Sequence, residues 1–521
     1  MPHETLKNLT PRKYQQDIYN NCKNKNCLVV LPTGVGKTLI ALMLAIHRQK
    51  AVPGTKTLFL APTRPLAEQH LEYFKKNLPE LFAEQTLFTG KTQAQKRKEL
   101  WQTSDIVFST PQCISNDLKN NLYTLEDVSL LIEDECHRCL KNYAYTFIAR
   151  AYKEQAKNPH ILGLTASPGT TKEIITEIAT TLGIESIELR TRDSDDVKEY
   201  LQELEFNAIR LEYPEEFKQV SNIIRSIYDK RVEELKKRKL LFKPANKMTL
   251  LEAQGTIMMA IRNGNKNFNF LVGSSVCAQA LKLAHLIELL ETQTLFTAQN
   301  YIKNLFEQTK QNQSKAVIRI TKNKEFNYAY IQLNQLIAKN LEHPKLLELK
   351  EIIQDSINEN PKNKTIVFSQ YRDTTTKIAE ELNKIKGIKA KTFVGQNKKQ
   401  GSGLSQKEQK EIMDEFREGS INIIAATSIA EEGLDIPEVN SVIFYEPIPS
   451  AIRQIQRRGR TARLMKGKLV ILITNDTLDE IFYYSSRAKE KRMHNAIASI
   501  QKDLESGKPL KQKPKQETLF G

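Results

Sequence analysis

From about residue 25 to 190, short runs of apolar, β-branched residues alternate with longer stretches whose apolar positions recur at helical spacing. The runs Cys27–Leu31, Thr57–Ala61, Asp105–Ser109, Ser129–Glu133 and Ile161–Thr165 are almost continuously apolar. A strand with one wet face alternates apolar and polar residues, whereas a strand covered on both faces does not. These runs are therefore expected to be buried parallel strands connected by helices, an α/β domain of βαβ units. The pattern returns at Thr365–Ser369, Ile421–Ala425, Ser441–Tyr445 and Lys468–Ile473, which predicts a second domain of the same class. Between the two, the alternation fades and helix formers take over; Glu216–Leu241 is expected to be helical and is basic from Lys230 to Lys243. Such a basic face fits phosphate binding and plain solvation equally well. A polar loop, Gly395–Gln406, interrupts the second domain, and after about residue 495 the chain turns Lys-, Gln- and Pro-rich, a composition that favours disorder. The expected organisation is an α/β domain over 1–204, a helical insertion over 205–345, a second α/β domain over 346–495, and a basic tail over 496–521.

A chain of 521 residues can bury a large core without staples. Lys and Arg number 78 against 61 Asp and Glu, and the surplus of +17 favours a polyanionic partner, of which nucleic acid is the commonest. Six cysteines in so long a chain are not a disulfide framework. Cys22 with Cys27, or Cys136 with Cys139, has the look of half a zinc ribbon. But Cys27 opens a strand and Cys136 sits in an acidic motif, so zinc is not expected. No apolar run approaches the roughly 20 residues of a membrane span, the longest being Leu39–Ile46, and the N-terminus lacks a signal pattern. A reducing, intracellular setting follows as the expectation.

The chemistry begins at Leu31-Pro-Thr-Gly-Val-Gly-Lys-Thr38, where a buried strand runs through a glycine turn into a helix starting at Lys37. Gly34 and Gly36 allow backbone N–H groups, with those of Thr33 and Val35, to close on a phosphate chain at a helix N-terminus. Lys37 is placed to reach the β- and γ-phosphates and Thr38 to bring its hydroxyl to Mg²⁺. Leu31 stands where the general P-loop pattern has its first glycine. Downstream, Leu130-Leu-Ile-Glu-Asp-Glu-Cys-His137 ends a buried strand in adjacent acids. Asp134 can hold Mg²⁺ there, and Glu135 can orient and deprotonate a water for in-line attack. In the second domain, Gln456-Arg-Arg-Gly-Arg460-Thr-Ala-Arg463 puts Arg460 and Arg463 on one helix face, able to clamp a γ-phosphate offered by the other domain. Gln456 is grouped with them, and the arrangement requires the two domains to close over ATP.

Taken together, residues 10–490 resemble a superfamily-2 helicase, which implies two RecA-like parallel-sheet domains, ATP and Mg²⁺. Arg12-Lys-Tyr-Gln15 is similar to the adenine-reading Q motif, implying roles for Arg12 and Gln15. Ala61–His70 resembles motif Ia, Thr89-Gly90 motif Ib and Ser109–Gln112 motif Ic, so Pro62, Thr63, Arg64, Thr89, Gly90, Thr110 and Pro111 are implied on DNA. Thr165-Ala-Ser167 matches motif III, implying that Thr165 and Ser167 couple hydrolysis to strand movement. Ile366–Gln370 matches motif IV and Ala426–Pro437 motif V, which implies DNA contacts from Ser369, Gln370 and Thr427 and coupling roles for Gly433 and Asp435.

Within that superfamily the wording is most similar to the archaeal Hef and Fanconi-anaemia M family. Asn142–Tyr145, Gly403–Gln409, Ser485–Arg492 and the helical block between the domains carry the likeness, and the family's helical block there grips DNA, which implies that role for the insertion over 205–345. The family implies a translocase on forked or branched DNA that tracks 3′→5′, migrates branches and serves fork repair. Motif II reads Asp-Glu-Cys-His, a spelling shared with RNA-sensing helicases, so a double-stranded-RNA-dependent ATPase is the first rival; a passive nucleic-acid clamp is the second. No nuclease signature is present where Hef continues into one, so cleavage is not expected of this chain, and whether a separate nuclease is a partner is left open by the sequence. The single Trp101 and few clustered aromatics argue that base stacking is not the main grip. Finally, Gln516-Glu-Thr-Leu-Phe520-Gly521 resembles a sliding-clamp-binding peptide, through Gln516, Leu519 and Phe520, without its second aromatic.

Overall fold

A computed structural model of the chain describes residues 5–7, 9–201, 204–265, 267–395, 403–427, 439–448, 467–508 and 510. The first lobe runs α1 (Lys13–Cys22), β1 (Cys27–Val30), α2 (Lys37–Ala51), β2 (Lys56–Leu60), α3 (Arg64–Asn77), β3 (Gln85–Phe88), α4 (Ala94–Thr103), β4 (Ile106–Ser109), α5 (Pro111–Lys119), β5 (Val128–Asp134), α6 (Ala144–Gln155), β6 (Ile161–Thr165), α7 (Lys172–Leu182), β7 (Ser186–Leu189) and α8 (Asp195–Lys198). Its seven strands form one parallel sheet in the order β3-β4-β2-β5-β6-β1-β7. The central strands β1, β4, β5 and β6 are buried at every position, because helices cover both faces.

The chain then does something the sequence pattern did not suggest. β8 (Leu204–Leu211), which falls inside the expected insertion, joins the far edge of the second sheet, parallel to β13 (Gly467–Thr474). That sheet has six parallel strands in the order β10-β11-β9-β12-β13-β8, with β9 (Thr365–Phe368), β10 (Ala390–Phe393), β11 (Ile423–Ala426) and β12 (Ser441–Phe444). Between β8 and β9 lie the helices of the insertion: α9 (Glu215–Lys237), α10 (Lys247–Arg262), α11 (Phe268–Thr292), α12 (Leu295–Lys310), α13 (Lys315–Thr321) and α14 (Lys324–Ala338). α15 (Pro344–Glu359), α16 (Arg372–Leu382) and α17 (Gln406–Glu418) belong to the second lobe. The insertion has two apolar clusters. The larger, around Phe217, Leu283, Leu286, Ile302 and Phe326, lies toward the lobes; the smaller, around Leu235, Leu250, Ile257 and Val276, fills the opposite pole. α11 has the length of a membrane span and a mean hydropathy of 1.5, which reading by continuous runs overlooked; it is the spine of this bundle, packed on α9 and α10.

The final helix, α18 (Leu478–Glu505), corrects the expected border between second domain and tail. It starts in the second lobe, where Asp479 and Tyr483 are buried. Its far half crosses to the first lobe, where Met493, Ile497 and Ile500 join the core against Ile175, Ile178 and Leu182. These apolar residues recur at helical spacing and anchor a stretch whose overall composition reads as a tail. Lys172 fastens the end, reaching Ser499 at 2.8 Å and Asp503 at 2.6 Å.

Candidate active site

Every candidate group in the described part of the first lobe lies at the carboxyl ends of its strands, where open parallel sheets bind ligands. β1 leads into the glycine loop. Gly34 and Gly36 have φ of +86° and +81°, left-handed values that let successive N–H groups point into one concavity. Gly36 caps α2, and a Cβ on it would collide with the Gln15 amide. α1 clamps this loop from below: Tyr14 donates its hydroxyl proton to the Val35 carbonyl at 2.6 Å, and Gln15 donates to the same oxygen at 3.2 Å. The other end of the Gln15 amide accepts the Arg12 N–H at 2.9 Å, so both of its ends are engaged in shaping the loop. The Arg12 guanidinium itself lies 5.0 Å over the Tyr200 ring. The Lys37 ammonium donates to the carbonyls of Leu31 and Pro32 at 3.0 and 3.2 Å. Beside it the buried Thr33 hydroxyl oxygen has no hydrogen-bond partner among the described residues.

Two strands away, β5 delivers Asp134 fully into the site. Burial pushes its carboxyl up, but the hydrogen bond from His70 and the charges of His70 and Lys37 outweigh that and hold it below the usual aspartate value. The His70 Nε2 lies 2.9 Å from Asp134 Oδ2, and Tyr145 donates to the Asp134 carbonyl at 2.7 Å. Glu133, one residue earlier, is fully buried, and burial drives its carboxyl well above the ordinary range. Glu135 has a φ of +52°, a strained conformation for a residue with a side chain, which costs about 1–3 kcal/mol and is held by its surroundings. His137 bridges the motifs: its Nδ1 is 3.2 Å from Glu135 Oε2 and 3.2 Å from the Thr165 hydroxyl at the end of β6. Thr165 accepts the Ser167 N–H at 3.1 Å, and the Ser167 hydroxyl lies 2.9 Å from the Met493 sulfur on α18. A cavity of about 160 Å³, lined by Pro32, Thr33, Ala166, Arg190, Met493 and His494, lies between the glycine loop and α18.

The residues present fit a nucleoside triphosphate with a hard divalent cation. The orphaned Thr33 oxygen, the two left-handed glycines and the helix N-terminus suit phosphate, and the Thr38 hydroxyl with an ionised Asp134 is an oxygen donor set.

The implied DNA contacts occupy the same edge, past β2, β4 and β3, beside the ATP-side strands β5, β6 and β1. Gly90 is exposed, and Pro62, Thr63, Arg64, Thr110 and Gln370 are half-buried. The Arg64 guanidinium is paired with Glu68 at 2.7 Å. Thr89 and Pro111 are buried; the Thr89 carbonyl is braced by Arg97, itself held by Asp117. Thr427 is buried behind β11 and donates its N–H to Phe393. The Ser369 hydroxyl is buried and bonded to Gln293 of the insertion at 3.2 Å, a contact that fastens the insertion to the second lobe. Gly433, Asp435, Gln456, Arg460, Arg463, Gln516, Leu519 and Phe520 lie outside the described residues. Sequence reasoning passed over His70, His137 and Tyr145. The first two are the closing histidines of motifs Ia and II, so their signal was on the page.

Three family models match in chain order: the DEAD/DEAH box helicase over residues 12–174, the ATP-dependent RNA helicase helical bundle over 216–342, and the helicase conserved C-terminal domain over 344–465. The crystal structure of the Pyrococcus furiosus Hef helicase domain is 46% identical, with a TM-score of 0.69, covering 92% of this chain and 98% of that one. A protein of Methanocaldococcus jannaschii named as an ATP-dependent RNA helicase is 40% identical over 95% of the chain and 61% of its own length. An ATP-dependent DNA helicase of Neurospora crassa is 33% identical over 91% of the chain and 42% of its own length. The mouse Fanconi anemia group M protein homolog is 31% identical over 94% of the chain, which spans 26% of that relative. The chain thus spans between about a quarter and three fifths of these curated relatives.

Proposed function

The chain belongs to the superfamily-2 ATP-dependent helicases of the Hef and Fanconi-anaemia M type, and from that premise we propose that it is a motor on forked or branched DNA, tracking 3′→5′ and migrating branches in fork repair. The observation behind this reading is the division of one sheet edge into a half at β1, β5 and β6 that carries the glycine loop and the acids, and a half at β2, β4 and β3 that carries motifs Ia, Ib and Ic.

The glycine loop and the N-terminus of α2 hold the triphosphate, and Lys37 exchanges the Leu31 and Pro32 carbonyls for phosphate oxygens. Thr38 and Asp134 would hold Mg²⁺, which when bound neutralises charge on the phosphates. Glu135 takes the proton of the attacking water, and its strained backbone fixes the direction from which it does so. Arg460 and Arg463 supply guanidiniums to the charge that develops on the γ-phosphoryl group. The contacts from Glu135 through His137, Thr165 and Ser167 to Met493 give hydrolysis a route into α18, which is rooted in the second lobe. Loop residues at the other half of the edge grip phosphates rather than bases, so affinity should be sequence-independent and steeply salt-sensitive.

The test is ATP turnover at fixed salt with no polymer, single-stranded DNA, a synthetic fork, a four-way junction or double-stranded RNA, with Lys37→Ala as the blank. Strongest stimulation by fork or junction supports the proposal. Stimulation by RNA alone moves the chain to the RNA-dependent reading, and no turnover with any polymer leaves a passive clamp.

A further inference from the structure

α4 is a polar helix whose buried residues are Arg97 and Trp101, four positions apart. An arginine in the interior of a lobe is costly unless its donors are met, and here each of its three nitrogens donates. Nε donates to Asp117 Oδ2 at 2.7 Å and Nη2 to Oδ1, a two-pronged pair with a carboxylate that is 1% exposed. Nη1 donates to the carbonyls of Thr89, at 3.4 Å, and of Thr92. These carbonyls bracket one tight turn, closed by the Thr92 N–H on the Thr89 carbonyl at 3.0 Å and by the Lys91 N–H on the Thr89 hydroxyl at 3.3 Å. With both carbonyls drawn inward, the turn leaves Gly90 and Lys91 exposed at its tip. Asp117 belongs to α5, which opens at Thr110 and Pro111, and Ser109 just before it donates to the Phe88 carbonyl at 3.1 Å. Tyr123 also donates to Asp117, at 2.8 Å, and its ring stacks on Trp101 with centroids 4.1 Å apart. One buried arginine thus joins the turn that carries motif Ib to the helix that begins in motif Ic.

We propose that Arg97 is a positioning residue for strand binding: with Asp117 it fixes the Thr89–Thr92 turn relative to the start of α5, so that the two loops meet the phosphates of one strand at a preset spacing. Stability alone does not call for this arrangement, because a buried ion pair seldom outperforms apolar packing of the same volume. What the pair supplies and apolar packing cannot is direction, since a planar fork fixes the angle between the groups it bonds. Arg97 is only 8% exposed, so it acts through the turn and not on the strand itself. A turn released from Arg97 has to be ordered again each time a strand binds, and that cost falls on DNA affinity. It does not fall on hydrolysis, because α4 and α5 flank β4, at the opposite side of the sheet from β1 and its glycine loop. The inference rests on the proposed action on nucleic acid. It adds a residue outside every strand-contacting motif on which the grip depends.

The experiment is ATP turnover by the full chain at fixed salt, titrated with single-stranded DNA and with a synthetic fork. Arg97→Lys keeps the charge and the reach to Asp117 but loses the fork that also holds the turn. The half-saturating DNA concentration should rise roughly 5- to 50-fold, while turnover at saturating DNA and the KM for ATP stay within about twofold. Tyr123→Phe is the control for stability: it removes a hydrogen bond from Asp117 without touching the turn. It should lower the melting midpoint yet leave half-saturation by DNA within about twofold of the parent. The fluorescence of Trp101, the chain's single tryptophan, checks in each variant that α4 keeps its place. Should Arg97→Lys not fold, Asp117→Asn carries the same test, since it keeps the shape and one acceptor but breaks the two-pronged pair. A folded variant that half-saturates like the parent overturns the inference, as does Tyr123→Phe weakening DNA as much as Arg97→Lys. If no polynucleotide stimulates the parent, the proposed function falls and this inference falls with it; a stimulated parent matched by its variant sinks only the inference.

Discussion

His70→Leu tests whether motif Ia reaches into the ATP site. The substitution keeps a similar volume against Phe59, whose ring lies 4.4 Å from the imidazole, but removes the N–H group 2.9 Å from Asp134 Oδ2. A hydrogen bond to a charged group contributes about 1.5–3 kcal/mol net, and its loss leaves a buried carboxylate short of a partner. The remaining constraints on Asp134 are the charge of Lys37 and a hydrogen bond from the Glu135 backbone, so the carboxylate keeps one anchor where it had two. Outer partners that orient metal-holding side chains typically account for 10–100-fold in metal affinity or activity. The half-saturating Mg²⁺ concentration for ATP hydrolysis should therefore rise roughly 10–100-fold at saturating ATP, with much of the rate recovered at high Mg²⁺. The assay is a Mg²⁺ titration of turnover, accompanied by thermal melting to show that the variant is folded. A folded His70→Leu chain whose Mg²⁺ dependence stays within twofold of the parent would refute the reasoning.

Lys345 and Asp479 are both fully buried and 2.6 Å apart, and Lys345 also donates to the Thr292 carbonyl at 2.7 Å. Lys345→Met should cost about 3–5 kcal/mol in urea unfolding, with Lys345→Met/Asp479→Leu recovering much of it; a single variant costing under about 1 kcal/mol would count against this. Burial lowers His160 to about 4 from 6.5, so its contribution is complete above the unfolded value and is lost as the pH falls from 6.5 toward 4, about 3 kcal/mol in all. A melting midpoint that is flat across that window would contradict it. Ser167→Ala should leave DNA-stimulated ATP turnover largely intact while strand displacement per ATP falls several-fold, a split that equal losses would exclude. Arg460→Ala should still bind ATP yet hydrolyse it about 10³-fold more slowly, as seen in single-turnover kinetics.

What the sequence showed and what it hid follow from covering. All nine strands read from apolar runs are present, and the four missed, β3, β7, β8 and β10, are the four sheet edges. An edge strand has a neighbour on one side only and is partly wet, so its pattern loses the continuous apolar run; β8 alternates with Glu205, Asn207 and Arg210 among its residues. The glycine loop and the acids of β5 were legible because phosphate binding depends on local spacing. The position of His70 was legible as the end of motif Ia, but its partner was not: the bond to Asp134 spans 64 positions and forms because β2, which leads into α3, becomes the neighbour of β5 only in the folded sheet. The Ser369–Gln293 bond was hidden for the same reason: a serine after a buried strand reads as a loop hydroxyl until Gln293 is brought to it.

The two lobes are not joined as equals. On the second lobe, α18 starts in a buried ion pair, its Asp479 also accepting the Thr474 N–H at 3.1 Å, and Glu291 of the insertion accepts the Leu478 N–H at 3.1 Å. Breaking that root would expose or orphan charges. On the first lobe, α18 is held chiefly by Met493, Ile497 and Ile500, whose burial is non-directional, and by the partly exposed Lys172–Asp503 pair. Apolar contacts tolerate sliding in a way that a buried hydrogen-bonded charge does not, so α18 is tied more firmly to the second lobe and the insertion than to α7. The Ser167–Met493 contact lies at the near end of the α18–α7 contact, beside Thr165 and His137. A change at Glu135 thus reaches α18 through three side chains, which is why Ser167→Ala should separate hydrolysis from strand displacement rather than abolish either.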